Sequence, residues 1–319
     1  MKVLVIGATG AVGVPLVSQL VERGHEVVGT SRTRERAETL RKLGAEPAVL
    51  DLLDRDAVRR LVLETKPDGI AHEATALADG VDFRHFAEGL APTNRLRTEG
   101  TENLLAAAKE AGVERFVAQS YGVMTYARVG GPVKTEDDPL DESLPEAMRA
   151  TIEAVKHNEA MVLGAGGIAL RYGSFYSAPI DPMRDAVRSR KVPIVGDGDG
   201  VWSLIHVADA AGATVLALER GASGVYNVAD DEPAPVREVL PVMAEALGAP
   251  PPRKVPAWLA KLFAGEIGVI IMTQIRGLSN EKTKRELGWT LRYPSWRQGL
   301  PETYGVAQAA ESRWVSHAA

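Results

Sequence analysis

Short apolar runs, separated by longer amphipathic stretches, make up the first half of the chain. The runs predict strands, and apolar positions three or four residues apart predict helices over residues 54–65 and 98–111. The predicted strands lie at residues 3–6, 25–30, 45–50, 69–72, 116–119 and 168–171. Because strands that alternate with helices join through right-handed crossovers, the pattern predicts an α/β fold of the Rossmann type, a doubly wound parallel sheet with helices on both faces. Ligands of such sheets bind at the carboxyl ends of the strands.

The first predicted strand runs directly into a glycine-rich turn. Gly7, Gly10 and Gly13 follow the strand and precede a segment with an apolar helical face. Gly7 permits a tight turn, Gly10 lets a pyrophosphate approach the backbone, and Gly13 lets the helix pack against the strand. Phosphate oxygens can then lie at the positive end of that helix. The arrangement predicts a dinucleotide-binding turn.

The end of the second predicted strand indicates which dinucleotide to expect. NAD-binding proteins usually place an acidic residue here, for the 2′-hydroxyl of the ribose. This chain has Ser31 followed by Arg32. A guanidinium pairs with a 2′-phosphate through two hydrogen bonds, whereas a carboxylate repels it, so we expect NADP. The alternative is that Arg32, with Arg34 and Arg36, forms only a solvated basic turn.

Composition and charge exclude several classes of function. Of the 319 residues, 45% are hydrophobic and 25% are charged, as in an ordinary globular protein. The chain has no cysteine, which excludes disulfides, thiolate chemistry and cysteine zinc sites. The net charge of -5 disfavours nucleic acid as a partner. The chain starts with a core strand, and no apolar run reaches the roughly 20 residues of a membrane helix, so we expect a cytoplasmic protein without a membrane partner.

The sequence pattern changes after about residue 175. Prolines and a glycine-rich run at 196–200 interrupt the alternation, and residues 233–303 are rich in proline. We expect a cofactor-binding Rossmann domain over residues 1–174, joined by residues 201–228. A smaller substrate-binding lobe is expected over 175–200 and 229–305, with 306–319 as a loosely held tail. A substrate pocket would then lie between the two lobes.

Ordered motifs along nearly the whole chain resemble those of a known family. They are GATGAVG at 7–13, DL at 51–52, HEA at 72–74, GTENLL at 100–105, LRYGSFY at 170–176, VGDG at 195–198, HVAD at 206–209, VYNV at 225–228 and KRELGW at 284–289, with Asn94. Through them the chain resembles an extended short-chain dehydrogenase/reductase of the NAD-dependent epimerase/dehydratase family. The resemblance implies a Rossmann fold and a nicotinamide cofactor.

The resemblance also implies a set of cofactor contacts. Most of them follow the carboxyl ends of the predicted strands, and they are Gly7, Thr9, Gly10, Ala11, Val12, Gly13, Ser31, Arg32, Asp51, Leu52, Ala74, Thr75, Ala76, Asn94, Ser120, Tyr172, Gly173, Ser174 and Phe175. His206 matches a family position that caps a helix. His72 and Glu73 end the fourth predicted strand, but nothing nearby supplies further ligands, so no metal is expected.

The catalytic pattern of the family is the point where the chain departs from it. The family uses Tyr-x-x-x-Lys on the helix after the fifth strand, where the tyrosine moves the proton and the lysine lowers the pKa of that tyrosine. Matching Glu159 to the usual glutamate of that helix places Thr151 and Val155 at the two positions. Matching Lys156 to the lysine instead places Ile152 at the tyrosine position. Neither register restores the pair.

Tyr121 is the candidate proton donor in the absence of that pair. It follows Ser120 at the end of the fifth predicted strand, close to the usual Ser/Thr position of the family. A phenol with a pKa of about 10 is a poor base but an acceptable hydrogen-bond donor toward a carbonyl or an activated alkene. Thr151 is a weaker candidate, and the alternative for Tyr121 is a place in the pocket wall.

Taken as an enzyme, the chain is expected to be an atypical NADP(H)-dependent reductase or dehydrogenase acting on a small or medium organic substrate. A sugar-nucleotide epimerase or dehydratase is one alternative, although sugar oxidation needs a strong base. A non-catalytic NADP-dependent sensor or a scaffold is another, since either would tolerate loss of the pair. The sequence leaves the oligomeric state open, with a homodimer among the candidates.

Overall fold

A central parallel sheet of seven strands forms the framework of the protein. The computed structural model describes residues 1–77, 80, 82, 85–177 and 181–305. The strands are β1 (Lys2–Ile6), β2 (Glu26–Ser31), β3 (Glu46–Val49), β4 (Gly69–His72), β5 (Arg115–Tyr121), β6 (Val133–Lys134), β7 (Ile168–Tyr172), β8 (Ser174–Tyr176), β9 (Ile194–Val195), β10 (Val201–Trp202), β11 (Leu204–His206), β12 (Gly224–Val228), β13 (Ala234–Pro235), β14 (Lys254–Val255) and β15 (Gly277–Leu278).

The order of the central strands is that of a doubly wound sheet. From one edge to the other it runs β12-β7-β5-β4-β1-β2-β3, and the pairs are parallel. The chain therefore winds outward from β1 first in one direction and then in the other. The eight remaining strands form four two-stranded pairs, of which β11 beside β8 extends the edge near the ends of β7 and β12. The α/β fold of the Rossmann type expected from the sequence is confirmed.

Helices cover both faces of this sheet. They are α1 (Gly13–Glu22), α2 (Arg34–Lys42), α3 (Arg55–Thr65), α4 (Phe86–Arg95), α5 (Thr101–Ala111), α6 (Glu146–Gly164), α7 (Pro182–Arg188), α8 (Val207–Arg220), α9 (Val236–Ala246), α10 (Ala257–Thr273) and α11 (Glu281–Leu287), and residues 296–305 are also helical. Among the described residues, no helix is both long enough and apolar enough to span a bilayer.

Three large clusters of buried apolar residues, and a small one at Tyr126, Ala229 and Leu278, hold these elements together. One packs α1 and α8 against one face of the sheet around Leu16, and another packs α3 and α5 against the opposite face around Leu104. The third lies outside the sheet, where α9, α10 and Trp296 surround β9 and β10. This third cluster contains residues that the sequence assigns to the smaller lobe. The tail expected at 306–319 lies outside the described residues, as do residues 178–180.

The helix before β5 differs from the prediction. The sequence pattern predicts a helix over 98–111, but residues 86–111 are helical without a break, and a π-helical turn at Leu96–Gly100 joins α4 to α5. Asn158 on α6 donates one hydrogen bond to the carbonyl of Arg97 and another to the hydroxyl of Thr101, at 3.0 and 2.8 Å. The turn is thus stabilised by a residue that lies far away in the sequence, which local periodicity does not reveal.

Candidate active site

The three glycines of the first turn have different surroundings. Gly7 has a φ of +80°, and a Cβ there would lie 2.8 Å from backbone atoms of Ala74. A Cβ on Gly13 would lie 2.8 Å from Cα of Ala8. On Gly10, which is exposed, a Cβ would meet only the carbonyl of Gly7, at 3.1 Å. Gly7 and Gly13 are therefore required by packing, whereas Gly10 faces open space that a ligand can approach.

The start of α1 offers hydrogen-bond donors to a ligand. Val12 caps the helix without a side-chain hydrogen bond, and the first turn holds no acidic residue. The backbone N–H groups of Ala11, Val12 and Gly13 donate to no acceptor in the described part of the chain. Unpaired donors at the positive end of a helix are a site for phosphate. The residues of this turn therefore fit the pyrophosphate of a dinucleotide, while Thr9 lies half-buried beside them.

The carboxyl end of β2 can receive a second anionic group. Ser31 is buried, and its hydroxyl donates to the carbonyl of Thr33 at 2.8 Å while it accepts from the N–H of Thr33 at 3.2 Å. This local turn leaves Arg32 exposed at its apex. The carboxylate of Glu35 accepts a hydrogen bond from the Thr33 side chain, but Arg32, Arg34 and Arg36 outnumber it, so the charge of the segment is compatible with a 2′-phosphate. The preference for NADP stays a prediction.

The other predicted cofactor contacts line the same edge of the sheet. Asp51 is exposed after β3, whereas Leu52 is buried against Gly100. Ala74, Thr75 and Ala76 follow β4 and are half-buried. Ala76 donates its N–H to the hydroxyl of Thr93 at 3.0 Å, which ties this loop to α4. Beyond β7, Gly173 packs against the carbonyl of Ser203, and Ser174 and Phe175 are half-buried in β8.

Ser120 lies in a buried network at the end of β5. Its hydroxyl donates to Oε1 of Glu159 at 2.6 Å. Arg171, the partner of Ser120 in the β5–β7 register, donates to both oxygens of the same carboxylate at 2.8 and 2.7 Å. Arg171 also donates to the hydroxyl of Tyr126 at 2.7 Å. The hydroxyl proton of Ser120 is therefore committed to Glu159, and its predicted role in catalysis or cofactor binding remains untested.

The helix α6 contains no tyrosine over its whole length, Glu146–Gly164. Thr151 and Val155 are buried on its inner face, and the Thr151 hydroxyl accepts a hydrogen bond from the amide of Asn94 at 3.1 Å. Lys156 is exposed and pairs with Glu142 at 3.2 Å. Thr151 and Asn94, both predicted site residues, are thus brought together, whereas Lys156 points to solvent.

Tyr121 lies at the carboxyl end of β5, with a buried arginine beside it. The guanidinium carbon of Arg97 lies 5.3 Å from the centroid of the Tyr121 ring, which is within cation–π range. Burial raises the pKa of Tyr121 to about 12, and the charge of Arg97 offsets part of that rise. Burial also lowers the pKa of Arg97 to about 10, so it stays cationic at neutral pH. Tyr121 is therefore a protonated hydrogen-bond donor and not a base.

Tyr172 lies with its hydroxyl in the core. It donates to Oε1 of Glu73 at 2.9 Å and lies 2.6 Å from the hydroxyl of Thr214 on α8. The second carboxyl oxygen of Glu73 is buried and has no hydrogen-bond partner among the described residues. Burial raises the pKa of Glu73 to about 8. Because the Tyr172 hydroxyl is engaged here, only its backbone remains for the predicted cofactor contact.

His72 and His206 take structural positions. His72 is buried beside the π-helical turn, with Nε2 3.3 Å from the carbonyl of Leu96, and burial lowers its pKa to about 4. His206 caps α8 by accepting the N–H of Ala208 at 3.1 Å, as the family resemblance implies. No group of three or more His, Asp or Glu side chains in the described ranges is arranged to hold a metal.

A cavity of about 310 Å³ lies away from these residues. It opens between α10 and the segment before α6, and its lining includes Arg128, Leu144, Lys261 and Gln274. None of the predicted cofactor or catalytic residues lines it. We therefore place the candidate active site at the sheet edge around Gly10, Tyr121 and Thr151, where the dinucleotide turn follows β1 and the proton-donor candidates lie on β5 and α6.

Arg97 and Glu73 are the two site residues that sequence reasoning missed. Arg97 lies just before the helix predicted over 98–111 and was given no role from the sequence, and Glu73 was considered only as a metal ligand. The sequence offered a signal for Glu73, a charged residue that directly follows the buried strand β4, but none for Arg97, whose neighbours include Arg95, Thr98 and Glu99. Charged side chains are buried only when a partner or a ligand compensates them.

Comparison with known proteins agrees with the fold described above. The family model described as NAD dependent epimerase/dehydratase family matches residues 3–229. The chain is 42% identical over 308 residues to a 3-diazoavenalumate denitrifying reductase of Streptomyces sp, covering 94% of this chain and 99% of that protein. It is 29% identical over 330 residues to a 4-hydroxy-2-methyl-3-oxo-4-farnesyl-3,4-dihydroquinoline-1-oxide ketoreductase of Stigmatella aurantiaca, covering 94% and 95%.

A solved structure with the same fold carries a bound cofactor. The UDP-glucose 4-epimerase of Thermus thermophilus in complex with NAD superposes with a TM-score of 0.73 at 27% identity, covering 96% of this chain and 98% of that one. The chain therefore belongs to the NAD-dependent epimerase/dehydratase family, whose members depend on NAD(P). The assignment as an oxidoreductase made from the sequence agrees with the reductases among its relatives.

Proposed function

We propose that the chain is an NADPH-dependent reductase whose substrate accepts hydride without help from a strong protein acid. The glycine turn at 7–13 would hold the pyrophosphate, Arg32 the 2′-phosphate, and residues 74–76 the part of the cofactor nearest β4. When bound, the reduced nicotinamide supplies a hydride. The residues of the chain bind and orient the two reactants and keep water out of the site.

The lack of a tyrosine in α6 is the observation that carries this proposal. The two positions that could correspond to the family's tyrosine hold Thr151 and Ile152, both buried, and Thr151 is bonded to Asn94. Lys156 pairs with Glu142 at the surface. Tyr121 has a pKa raised to about 12 by burial, so it transfers its proton less readily than an ordinary phenol. Such a site suits an acceptor that needs hydride more than it needs a proton.

A diazo group on an aromatic ring is an acceptor of that kind. Uptake of hydride by an arenediazonium cation and loss of dinitrogen convert ArN₂⁺ into ArH and N₂, a change that balances without a proton. The relative that is 42% identical is named for the denitrifying reduction of a diazo compound. We therefore propose an aromatic diazo compound as the substrate class of this chain.

A ketone is the second candidate substrate, because Tyr121 can donate a hydrogen bond at the strand edge. Reduction of a ketone by hydride leaves an alkoxide, which needs a donor within hydrogen-bond distance. A relative at 29% identity is named a ketoreductase. A sugar-nucleotide epimerase is less favoured, since the oxidation of a sugar hydroxyl needs a base that neither Tyr121 nor Thr151 supplies.

The substrate would lie between the cofactor edge and the third apolar cluster. We propose that residues 1–174 with 201–228 form the cofactor domain, and that residues 175–200 with 229–305 form the substrate lobe. The burial of Ile194, Ala234 and Trp296 in one cluster supports this division. The cytoplasmic location and the homodimeric state stay predictions from the sequence.

A substrate panel followed at the nicotinamide absorbance tests the proposal. Purified protein with NADPH is given an arenediazonium salt, an aromatic ketone or UDP-glucose in separate reactions. We expect NADPH oxidation that depends on the protein with the diazonium salt, and slower or no oxidation with the ketone. Oxidation with the ketone alone would replace the first candidate by the second, and no oxidation with any substrate despite NADPH binding would contradict both.

A further inference from the structure

Arg97 is a buried cation without a carboxylate partner among the described residues. Its side chain is 3% exposed, and its Nε atom has no hydrogen-bond partner in the same part of the chain. Its guanidinium makes a long hydrogen bond of 3.4 Å, from Nη1 to the amide oxygen of Asn94. A guanidinium has five N–H donors, and a buried charge is costly unless it is paired. Arg97 therefore has N–H donors left to bind a further hydrogen-bond acceptor.

The nearest buried carboxylate is already in use. Glu159 accepts two hydrogen bonds from Arg171 and one from Ser120. Its charge is therefore paired with the guanidinium of Arg171. His72, which lies against the same π-helical turn, is kept neutral by burial and by the charge of Arg97, which both lower its pKa. Glu159 also attracts Arg97, but its carboxylate is hydrogen-bonded to Arg171, so these three side chains together carry a net positive charge.

The fold places the charge of Arg97 beside the proton-donor candidate Tyr121 and away from the expected positions of the cofactor phosphates. Arg97 faces the ring of Tyr121 at the end of β5, and it contacts Asn94, which holds the Thr151 hydroxyl. The β5 strand lies two strands from β1 in the sheet order, about 10 Å away at the usual strand spacing. The glycine turn after β1 and Arg32 after β2, the expected binding positions for the pyrophosphate and the 2′-phosphate, are therefore separated from Arg97 by that distance or more.

The π-helical turn is the element that positions Arg97. The hydrogen bond from Asn158 to the Arg97 carbonyl and the contact of His72 with the Leu96 carbonyl satisfy acceptors that the wider turn releases. The Arg97 backbone is thereby held from two sides, by α6 and by β4. A fixed guanidinium loses little entropy when it binds an oxyanion.

We propose that Arg97 and the neighbouring Tyr121 form a site for an anionic oxygen of the substrate. The inference rests on the proposed reductase function and narrows its substrate class to organic anions that carry a carboxylate. The charge of Arg97 holds that carboxylate, and Tyr121 borders it at the strand edge.

Calorimetric titration of small carboxylates tests the site without any turnover. The protein saturated with NADPH is titrated with benzoate and acetate, and with benzamide and acetamide as neutral analogues of the same shape. We expect at least one carboxylate to bind at least tenfold more tightly than its amide. Arg97→Gln should remove that preference, Arg97→Lys should retain most of it, and Arg95→Gln, on the exposed side of the same helix, should leave it unchanged.

Two results would overturn the inference. One is an equal affinity of carboxylate and amide in the unmodified protein, which needs no variant and so holds even if Arg97→Gln fails to fold. The other is a carboxylate preference that persists in a folded Arg97→Gln protein. Because the titration measures binding alone, a carboxylate site in a protein that reduces none of the tested substrates would separate failure of the proposed function from failure of this inference.

Discussion

The hydroxyl of Ser120 donates a hydrogen bond of 2.6 Å to a carboxylate oxygen of Glu159, 39 residues further along the chain. The same carboxylate forms a bidentate ion pair with Arg171 on the neighbouring strand. The family resemblance would place Ser120 close to the reacting atoms. In this chain the Ser120 hydroxyl is instead hydrogen-bonded to the buried Glu159–Arg171 ion pair. The network joins β5, α6 and β7, so it fixes the edge on which Tyr121 lies.

We predict that Glu159→Gln destabilises the protein by about 3–5 kcal/mol, because it leaves the Arg171 guanidinium buried without its anion. The chain offers a matched control in Glu99, which makes the same bidentate pair with Arg95 at an exposed position, where the side chains are 52% and 57% exposed. We expect Glu99→Gln to lower the free energy of unfolding far less than Glu159→Gln does, because solvent screens this exposed pair. Unfolding in urea measures both, and equal losses would contradict the structural role assigned to Glu159.

Arg32 should set the cofactor preference. It is exposed at the apex of the turn after β2, beside Ser31. We predict that NADPH binds at least tenfold more tightly than NADH, about 1.4 kcal/mol, and that Arg32→Ala removes most of the difference.

Arg36→Ala, on the exposed surface of α2, is the control for loss of charge alone. Fluorescence titration with both cofactors gives the two dissociation constants for each protein. Equal affinities of the unmodified protein for NADPH and NADH would show that Arg32 belongs to a solvated basic turn.

Glu73 should make the stability of the protein depend on pH. Burial raises its pKa from 4.5 to about 8, so between these values the folded protein binds a proton that the unfolded chain releases. The stabilisation is complete below pH 4.5 and is lost as the pH rises toward 8, at up to about 1.4 kcal/mol per pH unit. We predict that Glu73→Gln, which keeps the shape of the side chain, flattens this decline.

The free energy of unfolding measured at pH 5 and at pH 8 checks this prediction. Glu153→Gln, on the exposed side of α6, serves as the control and should leave the difference between the two values unchanged. A Glu73→Gln protein that loses as much stability between pH 5 and pH 8 as the unmodified protein would mean that Glu73 is ionised in the folded state.

Tyr121→Phe should separate the two candidate substrate classes. The change keeps the ring over Arg97 and removes the hydroxyl, so NADPH affinity should change little. With a ketone substrate we predict a fall in kcat of roughly 10², because the developing oxyanion loses its donor. With an arenediazonium substrate we predict less than about a threefold change, since that reaction needs no proton. Steady-state rates decide, and full activity of the variant on a ketone would assign the donor role to another group.

The sequence alone predicts the local elements of the site. The glycine turn, Ser31 with Arg32, and the strand ends that carry Ala74 and Tyr121 follow from residue order, because strand, turn and helix are set within a few residues. The structure places these residues along one edge of the sheet, where parallel strands deliver their carboxyl ends. That part of the prediction needed no knowledge of distant contacts.

The long-range contacts were beyond sequence reasoning. The Ser120–Glu159 bond spans 39 residues, the Asn158–Arg97 bond spans 61, and the Tyr172–Glu73 bond spans 99. Each depends on which side chains meet after the sheet has formed. The π-helical turn that positions Arg97 was missed for the same reason, because its released carbonyls are satisfied by residues on α6 and β4.

The ratio of dinitrogen released to NADPH consumed tests the central claim most directly. Purified protein, NADPH and an arenediazonium salt are combined, with gas analysis and nicotinamide absorbance followed in the same vessel. Gly10→Val is the control, because its Cβ meets little protein but occupies the space of the pyrophosphate. We predict one N₂ per NADPH at a rate proportional to protein, and no such rate with Gly10→Val. Dinitrogen release that needs no NADPH, or an equal rate with Gly10→Val, would contradict the claim that this chain is a dinucleotide-dependent diazo reductase.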